Sequence, residues 1–222
     1  MKSLISGVFA ALLAVCFVSV SVAGEPATCC SKTGVCSKAV ASAMEDLPKM
    51  TFLVGKQETC CSQSAAALAK KADKPVQYLV SETAYKTEAE AFDALVVNTE
   101  GALKAFTTPH TCKVSGTTTI AGEACSCSVK AGQIATKVRT AVNLVSMQYK
   151  VGNETCSCPT KAASLAKASG KAKMFVVAGK ETTCAKTARL ELARAKYKAA
   201  VEAYLAMKTP APAAATVKGS NG

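Results

Sequence analysis

The sequence contains no tryptophan and a single histidine, and aromatic residues make up only 5% of its 222 positions. A Ser-His-Asp site needs a histidine base held by a carboxylate, and an HExxH site needs two histidine ligands on one helical face. With His110 alone the second is excluded and the first has little to work with, so a conventional hydrolase is not expected. Acidic residues are also scarce, 15 against 27 lysines and arginines, for a net charge of +12. Few aromatics and widely scattered lysines argue against nucleic acid as the partner and for a solvated basic surface. Charged residues make up 19% and hydrophobic residues 50%, so the chain is not disordered by charge and can bury one moderate core or two small ones.

What the chain does have begins at its amino terminus. Met1-Lys2-Ser3 is a short positive start, Leu4 to Val20 is a run of apolar and small residues, and Ser21-Val22-Ala23 supplies the small residues a signal peptidase requires. Residues 1–23 therefore read as a cleaved secretory signal. No basic cluster follows Ala23 to stop transfer, which argues against an anchor. Bulky Val15 before Cys16 and Phe17 after it argue against a lipoprotein. No second spanning run follows, so the mature chain is expected to be secreted or periplasmic, in an oxidising space, with no transmembrane segment.

A duplication organises the rest. At an offset of 97 residues, Met50-Thr-Phe-Leu-Val-Gly55 falls on Met147-Gln-Tyr-Lys-Val-Gly152, Cys61 on Cys158, Ala65-Ala66 on Ala162-Ala163, and Cys30-Ser31 on Cys127-Ser128. The halves cover 24–107 and 124–207. They are joined by a Thr-, Gly- and Ser-containing linker over 108–123 that holds His110 and Cys112. A Pro-, Ala- and Gly-rich tail over 208–222 is expected to be disordered.

Within each half a smaller unit recurs: an apolar alternating strand, a glycine turn, a Thr-Cys-Cys-like step and an alanine-rich helix. Copies begin at Met50, Met147 and Met174; Thr119–Cys127 is a degenerate copy, and Val76–Thr87 is a copy without cysteine. Each reads as ββα, so the fold class is α+β: duplicated lobes built from ββα units, short antiparallel strands covered by helices. Thr87 is an expected N-cap. Phe92, Leu95, Val96, Leu103 and Phe106 form one helical stripe, Ile134, Val138, Ala141, Val142 and Val145 a second, and Leu190, Ala193, Tyr197, Ala200, Val201 and Tyr204 a third.

Removal of the signal leaves eleven cysteines, eight of them in four pairs: Cys29/Cys30, Cys60/Cys61, Cys125/Cys127 and Cys156/Cys158. Immediate neighbours are poorly placed to bridge each other. Disulfides would instead join Cys29/Cys30 to Cys60/Cys61 and Cys125/Cys127 to Cys156/Cys158, with the odd thiol among Cys36, Cys112 and Cys184. The competing chemistry is a soft-metal site, because thiols that open a helix are acidified and thiolates bind Cu, Zn and similar ions. The metal-ligand candidates are then Cys29, Cys30, Cys60, Cys61, Cys125, Cys127, Cys156 and Cys158. His110 beside Cys112 reads as a solvated linker histidine near a bridged cysteine, and Met50, Met147 and Met174 read as strand-entry packing.

A strand, a glycine and a cysteine pair opening a helix resembles in outline the heavy-metal-associated domain of copper chaperones and mercury-binding proteins. That resemblance implies ligation of Cu, Zn or Hg by paired thiolates; the family spacing is Cys-x-x-Cys, where this chain has Cys-Cys or Cys-Ser-Cys. Over most of the mature chain, the tandem Cys-pair repeats in an Ala- and Lys-rich body resemble secreted proteins of planctomycete-type bacteria. The resemblance implies export and brings no activity with it. The expectation is therefore a secreted, non-enzymatic, disulfide-stapled structural or interaction protein of the bacterial envelope or exterior, meeting a protein or envelope partner. It needs no catalytic residue and no cofactor. The alternative is a periplasmic protein that binds or sequesters Cu, Zn or Hg through the paired thiolates.

Overall fold

The computed structural model describes residues 37–208. The signal expected over 1–23, the tail beyond Lys208, and Cys29, Cys30 and Cys36 lie outside the described residues. Helix α1 (Ser37–Glu45) precedes five hairpin-and-helix units. The first two are β1 (Met50–Val54), β2 (Gln57–Thr59), α2 (Ser62–Ala72) and β3 (Val76–Val80), β4 (Thr83–Tyr85), α3 (Glu88–Thr107). After the short strand β5 (His110–Thr111) come β6 (Thr118–Ile120), β7 (Glu123–Cys125) and α4 (Ser128–Leu144). The last two are β8 (Gln148–Val151), β9 (Glu154–Cys156), α5 (Pro159–Ser169) and β10 (Lys173–Val177), β11 (Lys180–Thr182), α6 (Ala185–Lys208). The protein is thus α+β with antiparallel strands. The segment 108–123 is more than a linker: it supplies β5 and β6, because alternating Thr118, Thr119 and Ile120 bury two side chains on one face.

Each hairpin closes through two residues, the loop length whose twist matches paired strands. Glycine opens the turn at Gly55 (φ 64°) and Gly152 (φ 61°), whereas Ser81 (φ 48°) and Glu82 (φ 69°) hold the second hairpin in the left-handed region without any glycine. The helix that follows starts at a cap residue whose carbonyl accepts from the amide of an alanine four positions on. The pairs are Cys61/Ala65 (2.9 Å), Thr87/Ala91 (3.2 Å), Cys127/Ala131 (3.1 Å), Cys158/Ala162 (3.1 Å) and Cys184/Ala188 (3.0 Å). All five alanines are buried to within 1% of full burial. A methyl is all that fits where the first helical turn lies against its own hairpin.

The duplication is visible in the topology. One sheet runs β2-β1-β3-β4 and the other β9-β8-β10-β11, with Phe52 opposite Tyr78 in the first and Tyr149 opposite Phe175 in the second. Both aromatic pairs have ring centroids 5.7 Å apart. Each pair roofs an equivalent small core, Phe52, Val54 and Ala65 or Tyr149, Val151 and Ala162. Met50–Val54 and Gln148–Val151 are both strands, as a 97-residue repeat requires.

The halves meet through α3 and α6, which run parallel: Lys186 pairs with Asp93 and Arg189 with Glu100, and further along Tyr197 lies 5.2 Å from Phe106. All six α6 residues expected on its buried stripe are buried. Helix α4 closes the other side of α6, where Ala131, Ala135 and Val138 face Ala200 and Tyr204. The third sheet, β5-β6-β7, is tied to α3 by the Ala121 amide, which donates to the Phe106 carbonyl at 3.2 Å. Among the described residues, no helix is long and apolar enough to cross a membrane.

One group in this core is unmatched. The Tyr204 hydroxyl is buried with no hydrogen-bond partner among the described residues, while its ring stacks edge-on against Phe106 at 5.9 Å. A buried, unsatisfied hydroxyl costs about 1–3 kcal/mol, so Tyr204→Phe is expected to raise the unfolding free energy by about 1 kcal/mol. Urea denaturation of the reduced protein reads this directly, and a loss of stability would show that the hydroxyl has a partner.

Candidate functional site: cysteines at the strand-to-helix steps

The steps from second strand to helix align as Thr59-Cys60-Cys61, Tyr85-Lys86-Thr87, Cys125-Ser126-Cys127, Cys156-Ser157-Cys158 and Thr182-Thr183-Cys184. The cap is cysteine in four units and threonine in one. This resolves the difference between Cys-Cys and Cys-Ser-Cys. Cys61 corresponds to Cys127, Cys158 and Cys184, but Cys60 occupies the middle position, where the other units have Ser, Thr or Lys. Cys125 and Cys156 take the strand-end position of Thr59 and Thr182, whose hydroxyls accept from the cap amides of Cys61 (3.3 Å) and Cys184 (3.2 Å). In the fourth unit the Cys156 thiol instead donates to the Cys158 carbonyl at 3.6 Å.

The cap positions of α2, α4 and α5 have extended backbone, with ψ between 120° and 122°, which turns the thiol toward the open amides of the first helical turn. No full cap hydrogen bond forms to the sulfur at these positions. The facing amides nevertheless favour its charged form. The Ser64 amide and hydroxyl, with the Gln63 amide, hold Cys61 below the ordinary thiol range. The Lys130 and Val129 amides, then the Lys130 charge, do so for Cys127. At Cys158 the causes are the Lys161 and Thr160 amides, then the Thr160 hydroxyl and the Lys161 charge. At Cys184 they are the Thr187 hydroxyl and amide, the Lys186 amide and the Lys186 charge.

The first turns of α2, α4, α5 and α6 contain no acidic residue. The threonine-capped helix α3 has Glu88 and Glu90 there, the latter closing a capping box with Thr87. Carboxylates answer the helix dipole where the cap cannot ionise, and none is present where it can.

Cys112 is acidified without a helix. It begins the turn that joins β5 to β6, where its amide donates to Thr117 and its carbonyl accepts from Gly116. The Ser115 hydroxyl and amide and the Val114 amide face the sulfur and lower its pKa to about 7. The groups acting on this thiol come from its own turn, and His110 is not among them.

The eight described cysteines are all free: Cys60, Cys61, Cys127, Cys158 and Cys184 are exposed, and Cys112, Cys125 and Cys156 half-buried. Cys125/Cys127 and Cys156/Cys158 do not converge, since β7 and α4 make no contact with β9 or α5. The physical reason is that α4 buries its alanine face against α6 and so leaves the fourth unit on the far sheet. The proposed partners of Cys60 and Cys61, namely Cys29 and Cys30, lie outside the described residues. Among the described residues no three His, Cys, Asp or Glu side chains gather as a metal site would need. The signal in the sequence that marks the caps is the recurring Cys-x-x-x-Ala, shared by Cys61, Cys127, Cys158 and Cys184, which picks out Cys184 and separates cap cysteines from their neighbours. No protein-family model, curated protein or solved structure matches the chain.

Proposed function

We propose that the chain is an exported, non-enzymatic structural or interaction protein whose surface cysteines form disulfides. The observation that supports this is the repetition of one architectural unit five times, each joined to the next through hairpin and helix, with a cysteine displayed to solvent at four of the five caps. Thiolates at such positions are the attacking species in disulfide exchange. Each bridge releases two protons and two electrons from two thiols, taken up by molecular oxygen or an exported disulfide catalyst. Because the third and fourth units stand apart, the bridges run between chains or to Cys29, Cys30 and Cys36. In protein exported and purified in air, peptide mapping without reduction is expected to recover few of the eight cysteines as free thiols. Eight alkylatable cysteines in that sample would overturn the reading.

A second reading has one observation in its favour. In Cys125-Ser-Cys127 and Cys156-Ser-Cys158 an acidified cap thiol follows a strand-end thiol by two residues, and the Cys156 sulfur already turns toward residue 158. Two such thiolates suit a two-coordinate soft cation, Cu(I) or Hg(II), more than tetrahedral Zn. Elemental analysis of the same sample separates the two, since ligand thiols stay reduced and metal accompanies them.

A further inference from the structure

The cap cysteines fall into two classes by what stands at the end of the preceding strand. Cys61 and Cys184 follow Thr59 and Thr182, so neither has a second thiol two residues away. Cys127 and Cys158 follow Cys125 and Cys156. Around them the pattern Glu-x-Cys-Ser-Cys-x-x-Lys-Ala recurs at 123–131 and 154–162, and among the five described units the third and fourth alone have it. Lys130 and Lys161 stand in first helical turns, where the dipole opposes a cation. There each charge acts on the cap sulfur instead.

The geometry of the step suits a bridge within each pair. Residues two apart on fully extended backbone have Cα atoms about 6.6–7.2 Å apart, at the edge of the roughly 4.4–6.8 Å that a disulfide spans. The chain bends at Ser126 and Ser157, which shortens that reach. The strand-end side chain also lies against the cap residue. The Cys156 sulfur is 3.6 Å from the Cys158 carbonyl oxygen, and the Thr59 and Thr182 hydroxyls, in the same place, are 3.3 and 3.2 Å from their cap amides. Burial separates the two sulfurs of a pair. Cys125 packs on the core around Ile120 and Ala131, and Cys156 on that around Tyr149 and Val151, whereas Cys127 and Cys158 are exposed. An incoming thiolate therefore reaches the cap sulfur, and the strand-end sulfur is the one that leaves.

We infer that Cys125/Cys127 and Cys156/Cys158 each close a short disulfide, and that the Cys61 or Cys184 thiolate of a second copy of this chain opens it to make a bridge between chains. Closing the ring removes two protons and two electrons from the pair, taken up by molecular oxygen or an exported disulfide catalyst. In the exchange the attacking sulfur bonds to the Cys127 or Cys158 sulfur and the short S–S bond breaks. Its electron pair goes to Cys125 or Cys156, which takes a proton from solvent and is left as a thiol. No further oxidant is consumed. The exchange runs toward the interchain bond because so small a ring is strained, and strained disulfides are the more readily opened.

This inference rests on the reading of the protein as one whose surface cysteines form disulfides, and its test uses the full mature chain. Trypsin cuts after Lys113, Lys130, Lys150 and Lys161, so each pair falls in one peptide, 114–130 or 151–161, with no other cysteine. After oxidation at low protein concentration, both peptides are expected to resist alkylation and to be lighter by the mass of two hydrogens. Reduced chain with Cys125, Cys127, Cys156 and Cys158 all replaced by serine is then added. Interchain dimers are expected to form through Cys127 or Cys158 as Cys125 or Cys156 becomes alkylatable. That dimer formation should be lost when the oxidised chain has Cys125→Ser and Cys156→Ser, and again when the added chain also has Cys61→Ser and Cys184→Ser. Peptides 114–130 and 151–161 recovered only as dialkylated, or joined to other peptides, would overturn the inference. So would rings that stay closed against the added thiols, dimers that form equally without Cys61 and Cys184, or a metal ion held by the two thiols in place of a bridge. In air-purified protein, disulfides that all map elsewhere would remove this inference and leave the broader reading standing; eight alkylatable cysteines would remove both.

Discussion

Ala91→Leu is expected to lower the unfolding free energy by about 2–3 kcal/mol, the usual cost of forcing extra methylenes into a packed site. Ala91 has no exposed surface and sits among Val80, Leu95, Val96 and Leu190, where the third strand, α3 and α6 come together. Its amide is also the one that donates to the Thr87 cap carbonyl, so a leucine cannot be accommodated by shifting the helix start without disturbing the cap. Helix propensity gives no offset, because alanine and leucine are both strong formers. Ala89→Leu, two residues earlier on the exposed side, is the matched control and should change stability by less than about 0.5 kcal/mol. The equivalent alanines of the first and fourth units test the duplication energetically. Ala65→Leu and Ala162→Leu meet equivalent neighbours, Phe52 and Val54 or Tyr149 and Val151, and should cost similar amounts. Chemical denaturation of the reduced variants measures all four; an Ala91→Leu protein as stable as the parent would show that the buried alanine is not a steric requirement of the unit.

These alanines also mark how far the sequence could be read. The ββα unit, the α+β class and the stripe on α6 are legible because each rests on a local period: alternation for strands, a turn of two residues, and apolar residues three and four apart. Thr87 is legible as a cap because Glu90 stands three residues on. What local pattern does not carry is which units touch. Pairing Cys125/Cys127 with Cys156/Cys158 assumes that consecutive units pack side by side. The fold instead places the third unit against α6 through Ala131, Ala135 and Ala200, small residues that look alike in a sequence rich in alanine. Likewise, 108–123 reads as a linker because its strands have two and three residues, too short for any period to show. The neutralised charge on α6 was hidden for the same reason: its partners Asp93 and Glu100 lie on α3, far away in sequence.

Thiol chemistry at the acidified positions should titrate well below that of an ordinary cysteine. With a pKa of about 7, Cys112 is half ionised at neutral pH, whereas a thiol near 8.5 is about 3% ionised. Low-pKa thiolates are intrinsically weaker nucleophiles, with a Brønsted coefficient of about 0.4–0.5, so the net rate advantage at pH 7 shrinks to a few-fold. The midpoint of the rate profile is the stronger signal. Alkylation of Cys112, followed peptide by peptide, should reach half its maximum near pH 7. Cys61, Cys127, Cys158 and Cys184 should also have midpoints below that of an unperturbed thiol. Ser115→Ala removes the hydroxyl that contributes most to the Cys112 shift and should move its midpoint upward while leaving Cys184 unchanged; for Cys184 the corresponding change is Thr187→Ala. The shifts also have a stability consequence with a fixed sign. Each folded-state pKa is depressed, so the stabilisation by the thiolate is complete above the unfolded thiol's pKa and is lost as pH falls through the folded value. Reduced protein should therefore gain stability between pH 7 and pH 9, and replacing Cys61, Cys112, Cys127, Cys158 and Cys184 with serine should remove that gain, since a serine hydroxyl does not ionise at either pH value. A midpoint for Cys112 at the ordinary thiol value, or a pH dependence of stability that survives the serine substitutions, would show that the amides facing these sulfurs do not hold them as thiolates.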